Sequence, residues 1–274
     1  MTGGTPTQLQ PSDIPRAMRL THSAGWNQTE QDWARMLALA PDGCFAIDAA
    51  GTLVATTTVI CYGSELAWIG MVLTLPEHRG QGLARTLMEH SLRYLETRGI
   101  AWVKLDATDM GKPLYEKLGF EDECAIERWQ RPAGAVPPAP ALAQGIDFEL
   151  DGRAFGADRR DLLHRLASEE APTSSTSGFA LARRGTHAAY FGPCTCEPDE
   201  GAVKLVHSVL ARHPDQPVFW DLLPSNTAAV EIATSWGFAP VRRLTRMVRK
   251  GREAAQAFQH DDSKIFAIAG FEYG

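Results

Sequence analysis

The chain has 274 residues, enough for two domains of ordinary size that each bury a hydrophobic core. Hydrophobic residues make up 44% and charged residues 22%, the average balance of a globular protein. No apolar run reaches the length of a membrane span, and the N-terminus MTGGTPTQLQ lacks the features of a signal peptide. We therefore expect a cytoplasmic protein without a membrane partner. The net charge of −6 argues against a nucleic acid partner, which needs clustered Lys and Arg, and suits a cationic substrate better.

The five cysteines are scattered and odd in number, which indicates reduced thiols rather than a disulfide framework. Cys194 and Cys196 could suggest a metal site, but no second ligand pair with zinc spacing accompanies them. We therefore interpret them as two small apolar residues of a strand and predict that the protein holds no metal.

The first half of the chain alternates between helix and strand patterns. Residues 11–39 predict one or two helices, with Ser12 or Asp13 as the N-cap. Three apolar runs separated by short turns predict an antiparallel meander with strands over 44–48, 52–62 and 66–75. The pattern continues with a helix over 83–97, a strand over 100–105, a helix over 112–118 and a strand over 121–129.

The second half repeats this order in a degraded form. A Pro- and Ala-rich stretch with little charge, 131–144, indicates a linker. Beyond it we predict strands over 179–183 and 188–196, a helix over 199–211, a strand over 218–222, a segment over 225–238 that ends in Trp-Gly-Phe, and a return strand over 240–248. The predicted division is a first domain over 1–130, the linker over 131–144, a second domain over 145–250 and a C-terminal tail over 251–274 that docks on the body.

The stretch 71–84, MVLTLPEHRGQGLA, places an apolar strand and a glycine-rich turn directly before a helix. Gly80 and Gly82 allow positive φ and close approach of the backbone to a ligand, and Arg79 adds a positive charge. Successive N–H groups at a helix N-terminus can bind an anion, so the turn predicts a phosphate cradle. A simple tight connection remains the alternative. A dinucleotide fingerprint would need a third glycine where Arg85 stands, and no Gly-Lys-Ser/Thr of a P-loop follows.

Two motifs at the expected separation resemble the GNAT superfamily of acyl-CoA-dependent N-acetyltransferases. Arg79, Gly82 and Ala84 match its R-x-x-G-x-G/A signature, and 115–120 is similar to its YEKLGF segment. The tandem order resembles a bacterial group of two-lobed GNAT proteins. The resemblance implies an α/β (α+β) fold of two tandem GNAT-like lobes, each with a mixed, mostly antiparallel sheet flanked by helices.

The resemblance also implies acetyl-CoA as co-substrate, bound by the first lobe without a metal. The residues that it assigns to the coenzyme A thioester are Val72, Leu73, Thr74, Arg79, Gly80, Gln81, Gly82, Leu83, Ala84, Asp109 and Lys112. Family members often have Asn where Asp109 stands, so Asp109 or Lys112 would replace that contact. Tyr115 corresponds to the general acid that protonates the coenzyme A thiolate, and a phenol carries its proton at neutral pH. A tyrosine that only packs on the sheet is the alternative.

The second lobe departs from the motifs at both positions. Ala233 stands where the first lobe has Tyr115, and the acidic run 197–201 stands where the first lobe has the Arg79 turn. Negative charge there would repel a pyrophosphate. We therefore predict that the second lobe has no cofactor site and shapes or covers the acceptor pocket.

His22, Trp26 and Asn27, at the end of the first helix, are the predicted acceptor-binding residues, because this superfamily commonly builds its acceptor pocket there. The alternative is a core Trp26 and a surface His22. The last ten residues, 265–274, are strongly apolar, which indicates that the chain end docks. The Gly274 carboxylate is the predicted acceptor of the substrate's proton, and simple packing of a last strand is the alternative.

The predicted function is acetyl-CoA-dependent N-acetylation of a primary amine, a small amine or an amino-group metabolite, by direct attack without a covalent enzyme intermediate. A protein-lysine acetyltransferase and a non-catalytic acyl-CoA-binding or regulatory module are the alternatives. The acceptor, the acyl chain length, the general base and the oligomeric state stay open at this point.

Overall fold

The computed structural model describes residues 4–197, 200–251 and 257–274. The first half has the predicted order of elements. Its strands and helices are β1 (Thr7–Gln8), α1 (Ile14–Ser23), α2 (Glu30–Leu39), β2 (Cys44–Ala49), β3 (Thr52–Tyr62), β4 (Leu66–Thr74), α3 (Leu83–Thr97), β5 (Trp102–Ala107), α4 (Lys112–Lys117) and β6 (Glu121–Arg131).

The second half adds two helices that the sequence pattern did not predict, α5 (Phe148–Phe155) and α6 (Arg160–Ala167). Its remaining elements are β7 (Thr173–Ser175), β8 (Gly178–Arg183), β9 (Ala189–Cys196), α7 (Glu200–Arg212), β10 (Val218–Leu222), α8 (Thr227–Ser235), β11 (Ala239–Lys250) and β12 (Ile265–Ala267). The fold class, mixed and mostly antiparallel sheet structure flanked by helices, is confirmed. No helix among the described residues is both long enough and apolar enough to cross a bilayer.

The predicted meander is present as β2, β3 and β4, paired antiparallel in that order. Helix α3 packs on these strands because its apolar residues recur three or four positions apart. Its buried residues are Leu83, Leu87, Met88, Ser91, Leu92 and Leu95. The capping box that starts α2 joins Thr29 and Asp32, with the Thr29 N–H donating to Asp32 Oδ2 at 2.8 Å.

The two halves share one sheet, and each half contributes one long strand that pairs with the other half. Strand β11 pairs antiparallel with β5 of the first half, while β6 pairs antiparallel with β10 of the second half. The strands β6 and β11 also pair with each other in the middle. The resulting order is β1-β2-β3-β4-β5-β11-β6-β10-β9-β8-β7. One sheet therefore contains strands from both sides of the stretch 131–144. The division of the chain into two domains at that stretch stays a prediction, drawn from the repeated order of elements.

The two halves also share a local feature, a parallel strand pair that diverges. Strands β4 and β5 pair only from Leu66–Trp102 to Trp68–Lys104, although both continue. Strands β9 and β10 pair only from Ala189–Val218 to Phe191–Trp220. In the second half, β12 fills the gap: it pairs with β9, and the Ile268 N–H donates to the Asp221 carbonyl at 3.1 Å.

Candidate active site

In the first half, the gap between β4 and β5 opens into a cavity of about 680 Å³. Its walls come from β4, the glycine turn, the start of α4, the end of α1, strands β6 and β11, and the C-terminal tail. Beyond Trp68, the edge of β4 that faces β5 has no strand partner among the described residues. Such an edge can pair with an extended ligand in the manner of an added strand.

Strand β4 carries a bulge where it lines this cavity. The register with β3 shifts between Thr56 and Thr58, and Met71 has a φ of 49°, which is uncommon for a residue other than glycine. Thr56 Oγ1 donates to the Met71 carbonyl at 2.9 Å and helps to hold this geometry. A bulge rotates the main chain out of the regular ladder and redirects its N–H and C=O groups.

The glycine turn has the backbone conformation that the sequence predicted. Gly80 and Gly82 have φ values of 74° and 80°, and Gly82 is the N-cap of α3. Since glycine has no side chain to cap the helix, the N–H groups of the first turn of α3 are available to an anion. Arg79 lies at the surface beside them, and its Nε donates to the Thr74 carbonyl at 3.3 Å.

Tyr115 lies in α4 and lines the same cavity. Burial raises the pKa of its phenol, so the hydroxyl keeps its proton at neutral pH. Its ring lies close to Gly111, where a Cβ atom would come within 2.8 Å of the ring. Phe120 also packs against the ring, with ring centroids 6.2 Å apart. Within the described parts of the chain the hydroxyl has no hydrogen-bond partner, so it is free to donate into the cavity.

Most of the predicted cofactor residues line this cavity together. They are Val72, Leu73, Thr74, Arg79, Gly80, Gly82, Leu83 and Ala84. Three do not line it. Gln81 and Asp109 are exposed, and Lys112 forms an ion pair with Asp122.

Of the three predicted acceptor residues, the structure brings only Trp26 to the cavity. His22 is exposed on α1. Asn27 is buried and connects the two halves: its Nδ2 donates to the Ala188 carbonyl at 3.0 Å, and its Oδ1 accepts from the His187 N–H at 2.8 Å. The amide of Asn27 therefore binds the main chain of the second half through both its nitrogen and its oxygen.

Gly274, the predicted proton acceptor, does not line the cavity either. It packs against the ring of Trp68, and Arg159 Nη1 donates to its oxygen at 2.9 Å. Arg159 is itself paired with Asp151, at 2.8 Å. The chain end is therefore held beside β4, outside the cavity that contains Tyr115.

The tail does place a different carboxylate in the cavity, that of Glu272. The side chain of Glu272 is almost completely buried, and burial raises the pKa of its carboxyl while Arg183 opposes that rise. Gln28 Nε2 donates to its Oε2 at 3.0 Å, and Arg183 Nη2 lies 3.4 Å from its Oε1. Trp68 Nε1 donates to the Phe271 carbonyl at 2.9 Å and fixes the tail just before it.

Sequence reasoning missed Glu272 and Gln28. The signal for Glu272 was visible, because it is the one carboxylate side chain within the apolar run 265–274. Gln28 directly follows the predicted residues Trp26 and Asn27. It was missed because the direction in which a short loop turns its side chains depends on contacts with the distant tail.

Two family models match the chain and decide its family. The acetyltransferase (GNAT) family matches residues 13–120, and an acetyltransferase (GNAT) domain matches residues 148–267. The chain belongs to the GNAT acetyltransferases. It is an enzyme of the acyltransferase type with two GNAT lobes, a first lobe that contains residues 13–120 and a second lobe that contains residues 148–267.

Among relatives, the chain is 22% identical over 252 residues to YitH of Bacillus subtilis, an uncharacterized N-acetyltransferase, covering 84% of this chain and 86% of YitH. A proposed acetyltransferase from Pyrococcus horikoshii has the same fold, with a TM-score of 0.88 at 19% identity over 100% of this chain and 97% of the other. A tandem GNAT protein from the clavulanic acid biosynthesis pathway superposes with a TM-score of 0.62 at 14% identity, over 92% of this chain and 99% of the other.

GNAT enzymes use acetyl-CoA as co-substrate, and the first lobe has features that fit this ligand. The hydroxyl of Thr74 is buried at the cavity wall without a protein partner among the described residues. The diverging edge of β4 and the first turn of α3 offer main-chain groups along the same wall. In the ranges 4–197, 200–251 and 257–274, no group of metal-ligating side chains could hold an ion.

The second GNAT lobe has β12 where the first lobe has its cavity, and buried Ala233 where the first lobe has Tyr115. The acidic run 197–201 falls partly outside the described residues, at 198 and 199. Glu197 forms an ion pair with Lys264 at 2.9 Å. Among the described residues, the filled gap leaves no open strand edge there like that of β4. That the second lobe has no cofactor site stays a prediction.

Proposed function

We propose that this GNAT enzyme transfers the acetyl group of acetyl-CoA to the nitrogen of a primary amine by direct attack. The observation that carries the proposal is that one cavity holds the glycine turn, the bulged edge of β4, the Tyr115 hydroxyl and the Glu272 carboxylate. Walls from both lobes and from the tail surround it, which favours a small amine over a protein lysine.

The glycine turn and the unpaired edge of β4 are the proposed binding groups for the coenzyme. The N–H groups of the first turn of α3, with Arg79 beside them, suit the pyrophosphate. The edge from Val72 to Thr74 suits the extended pantetheine arm. The bulge at Met71 presents main-chain N–H groups where negative charge develops on the thioester oxygen.

Glu272 is the proposed general base in place of Gly274. A protonated amine cannot attack, so a carboxylate must first take a proton from the ammonium group. A buried carboxylate with a raised pKa is a better base for this step than an exposed one. Gln28 and Arg183 hold Glu272 in one orientation. The new N–C bond then forms and the C–S bond breaks. The nitrogen loses its second proton in this step, which balances the proton that the sulfur receives and lets Tyr115 regain its own, and Glu272 returns the first proton to solvent.

Tyr115 is the proposed general acid. It donates its hydroxyl proton to the sulfur that leaves from the acetyl carbon, so that coenzyme A departs as a thiol. Burial keeps the phenol protonated until that moment. Trp26 and Phe271 are the proposed apolar walls of the amine side.

The test is a titration of acetyl-CoA into the wild type and Arg79→Glu, followed by a thiol-release assay with a panel of primary amines. We expect binding by the wild type, much weaker binding by the variant, and thiol release that depends on the amine. Arg153→Glu, at an exposed position on α5, is the matched control. Binding without release for any amine would favour a non-catalytic acyl-CoA-binding module, and no binding would overturn the proposal.

A further inference from the structure

One sheet face at the cavity carries a row of arginines, and their ion pairing is unequal. Arg242 and Arg246 lie on one face of β11, because side chains at positions i and i+4 of a strand point to the same side of the sheet. Arg128, on β6, is directly opposite Arg242. Arg246 Nε and Nη2 donate to the two oxygens of Asp106, at 2.9 and 3.1 Å. Arg128 donates to both oxygens of Asp221, each at 2.7 Å.

Arg242 is the exception in this row. It lines the cavity, is partly buried, and has no carboxylate within ion-pair distance in residues 4–197, 200–251 and 257–274. Asp221, on the neighbouring strand β10, already accepts hydrogen bonds from Arg128 and from the Tyr190 hydroxyl, the latter at 3.0 Å. Burial and the charge of Arg128 lower the pKa of the Arg242 guanidinium, and the charge of Asp221 only partly opposes this effect.

The bulge in β11 supports a role for Arg242 in the cavity. The register between β11 and β6 shifts between Pro240 and Arg242, and the extra residue, Val241, is exposed. Bulges of this kind redirect a neighbouring side chain. Glu272, on the tail, lines the same cavity and already has Gln28 and Arg183 as partners, so it does not neutralise Arg242.

We propose that the acceptor is a primary amine that also carries a carboxylate, and that Arg242 of the second lobe binds this carboxylate. The inference rests on the proposed function and narrows its substrate class. A planar guanidinium matches a carboxylate with two parallel hydrogen bonds, and one unpaired cation balances one negative charge. A phosphate dianion would call for a second free cation on this face.

The test uses pairs of amines that differ only in the carboxylate, such as L-leucine with isoamylamine, L-phenylalanine with phenethylamine, and 4-aminobutyrate with propylamine. In the wild type we expect the carboxylate member to have a kcat/KM roughly 10- to 100-fold higher, the worth of one charged hydrogen-bonded contact. Arg242→Ala and Arg242→Gln remove this preference, while acetyl-CoA affinity stays unchanged. Arg243→Ala is the matched control, because Arg243 is exposed on the opposite face of the same strand.

The outcomes separate the two proposals. If the pairs react equally, if the preference survives in Arg242→Ala, or if that variant loses acetyl-CoA affinity, the carboxylate site is overturned and the acetyltransferase stands. If no amine reacts, the proposed function fails. The carboxylate site is then judged by calorimetric titration of the N-acetylated amino acids, whose binding must weaken in Arg242→Ala but not in Arg243→Ala.

Discussion

Gly70 and Glu272 are packed so closely that a Cβ atom on Gly70 would lie 2.7 Å from the Cα atom of Glu272. The wall of the cavity on β4 and the tail that carries its carboxylate are therefore fitted to each other. This contact joins residues that are far apart in the chain. Because it is a contact of main chain with main chain, a side-chain rotation cannot relieve a clash there.

We expect Gly70→Ala to displace the tail from β4. The overpacking should cost about 1–3 kcal/mol of unfolding free energy, and turnover should fall because Glu272 moves with the tail. Urea unfolding and the thiol-release assay measure the two effects. Gly152→Ala, in α5, is the control, because its Cβ would meet no atom within 4 Å. Wild-type turnover in folded Gly70→Ala would contradict the role given to the tail.

Tyr115→Phe should lower kcat by roughly 10²- to 10⁴-fold, the usual worth of a general acid. The affinity for acetyl-CoA should stay unchanged, since the ring remains in place beside Gly111 and Phe120. Stopped-flow or steady-state thiol release gives kcat, and calorimetry gives the affinity. Tyr94→Phe, on α3 away from the cavity, tests whether the loss of a phenol elsewhere has any effect.

Glu272→Gln should remove the acidic limb of the pH profile of kcat/KM. The base acts when deprotonated, and burial raises its pKa, so wild-type activity is lost as the pH falls through a value above that of an ordinary glutamate. The variant should be slower by about 10²-fold or more at neutral pH, with a flat acidic side. Glu149→Gln, on the surface of α5, should keep the wild-type profile. An unchanged acidic limb in Glu272→Gln would assign the base to another group.

Gly82→Ala and Gly63→Ala form a matched pair for the phosphate cradle. Both glycines have positive φ, 80° and 63°, and a Cβ on either would meet no protein atom within 4 Å. Both changes should therefore cost a similar amount of stability, about 1 kcal/mol. Only Gly82→Ala should weaken acetyl-CoA binding, because its Cβ enters the turn proposed for the pyrophosphate. Equal affinities would argue that the turn is a simple connection.

The exchanged strands predict one cooperative unfolding transition for both lobes. Strand β5 has β11 of the second lobe as its neighbour, so a fragment of residues 1–144 would leave that edge of the sheet unpaired. We expect this fragment to aggregate or to associate with a second copy. Calorimetry of the full chain and light scattering of the fragment check both statements. Two separate transitions would show that the lobes fold independently.

Local patterns predicted most of the elements, though not α5 and α6, and pointed to the glycine turn and Tyr115, because each depends on residues close together in the chain. The pairing of β6 and β11 was not predictable in this way, since β6 and β10, and β11 and β5, are partners from opposite halves of the chain. The position of Glu272 was missed for a related reason. The apolar tail predicted docking, and with it a carboxylate near the acceptor. Hydrogen bonds from Trp68 and Arg159 position the tail so that Glu272, and not Gly274, lines the cavity. Both of these residues are distant from the tail in sequence.

The exchange of β6 and β11 gives this chain the connectivity of a domain-swapped dimer whose two copies are joined by the stretch between β6 and α5. The joining stretch is mostly exposed and makes few hydrogen bonds, so it acts as a tether rather than as part of the framework. A chain cut there should remain one particle, held together by three strand pairs across the cut, β5 with β11, β6 with β11 and β6 with β10.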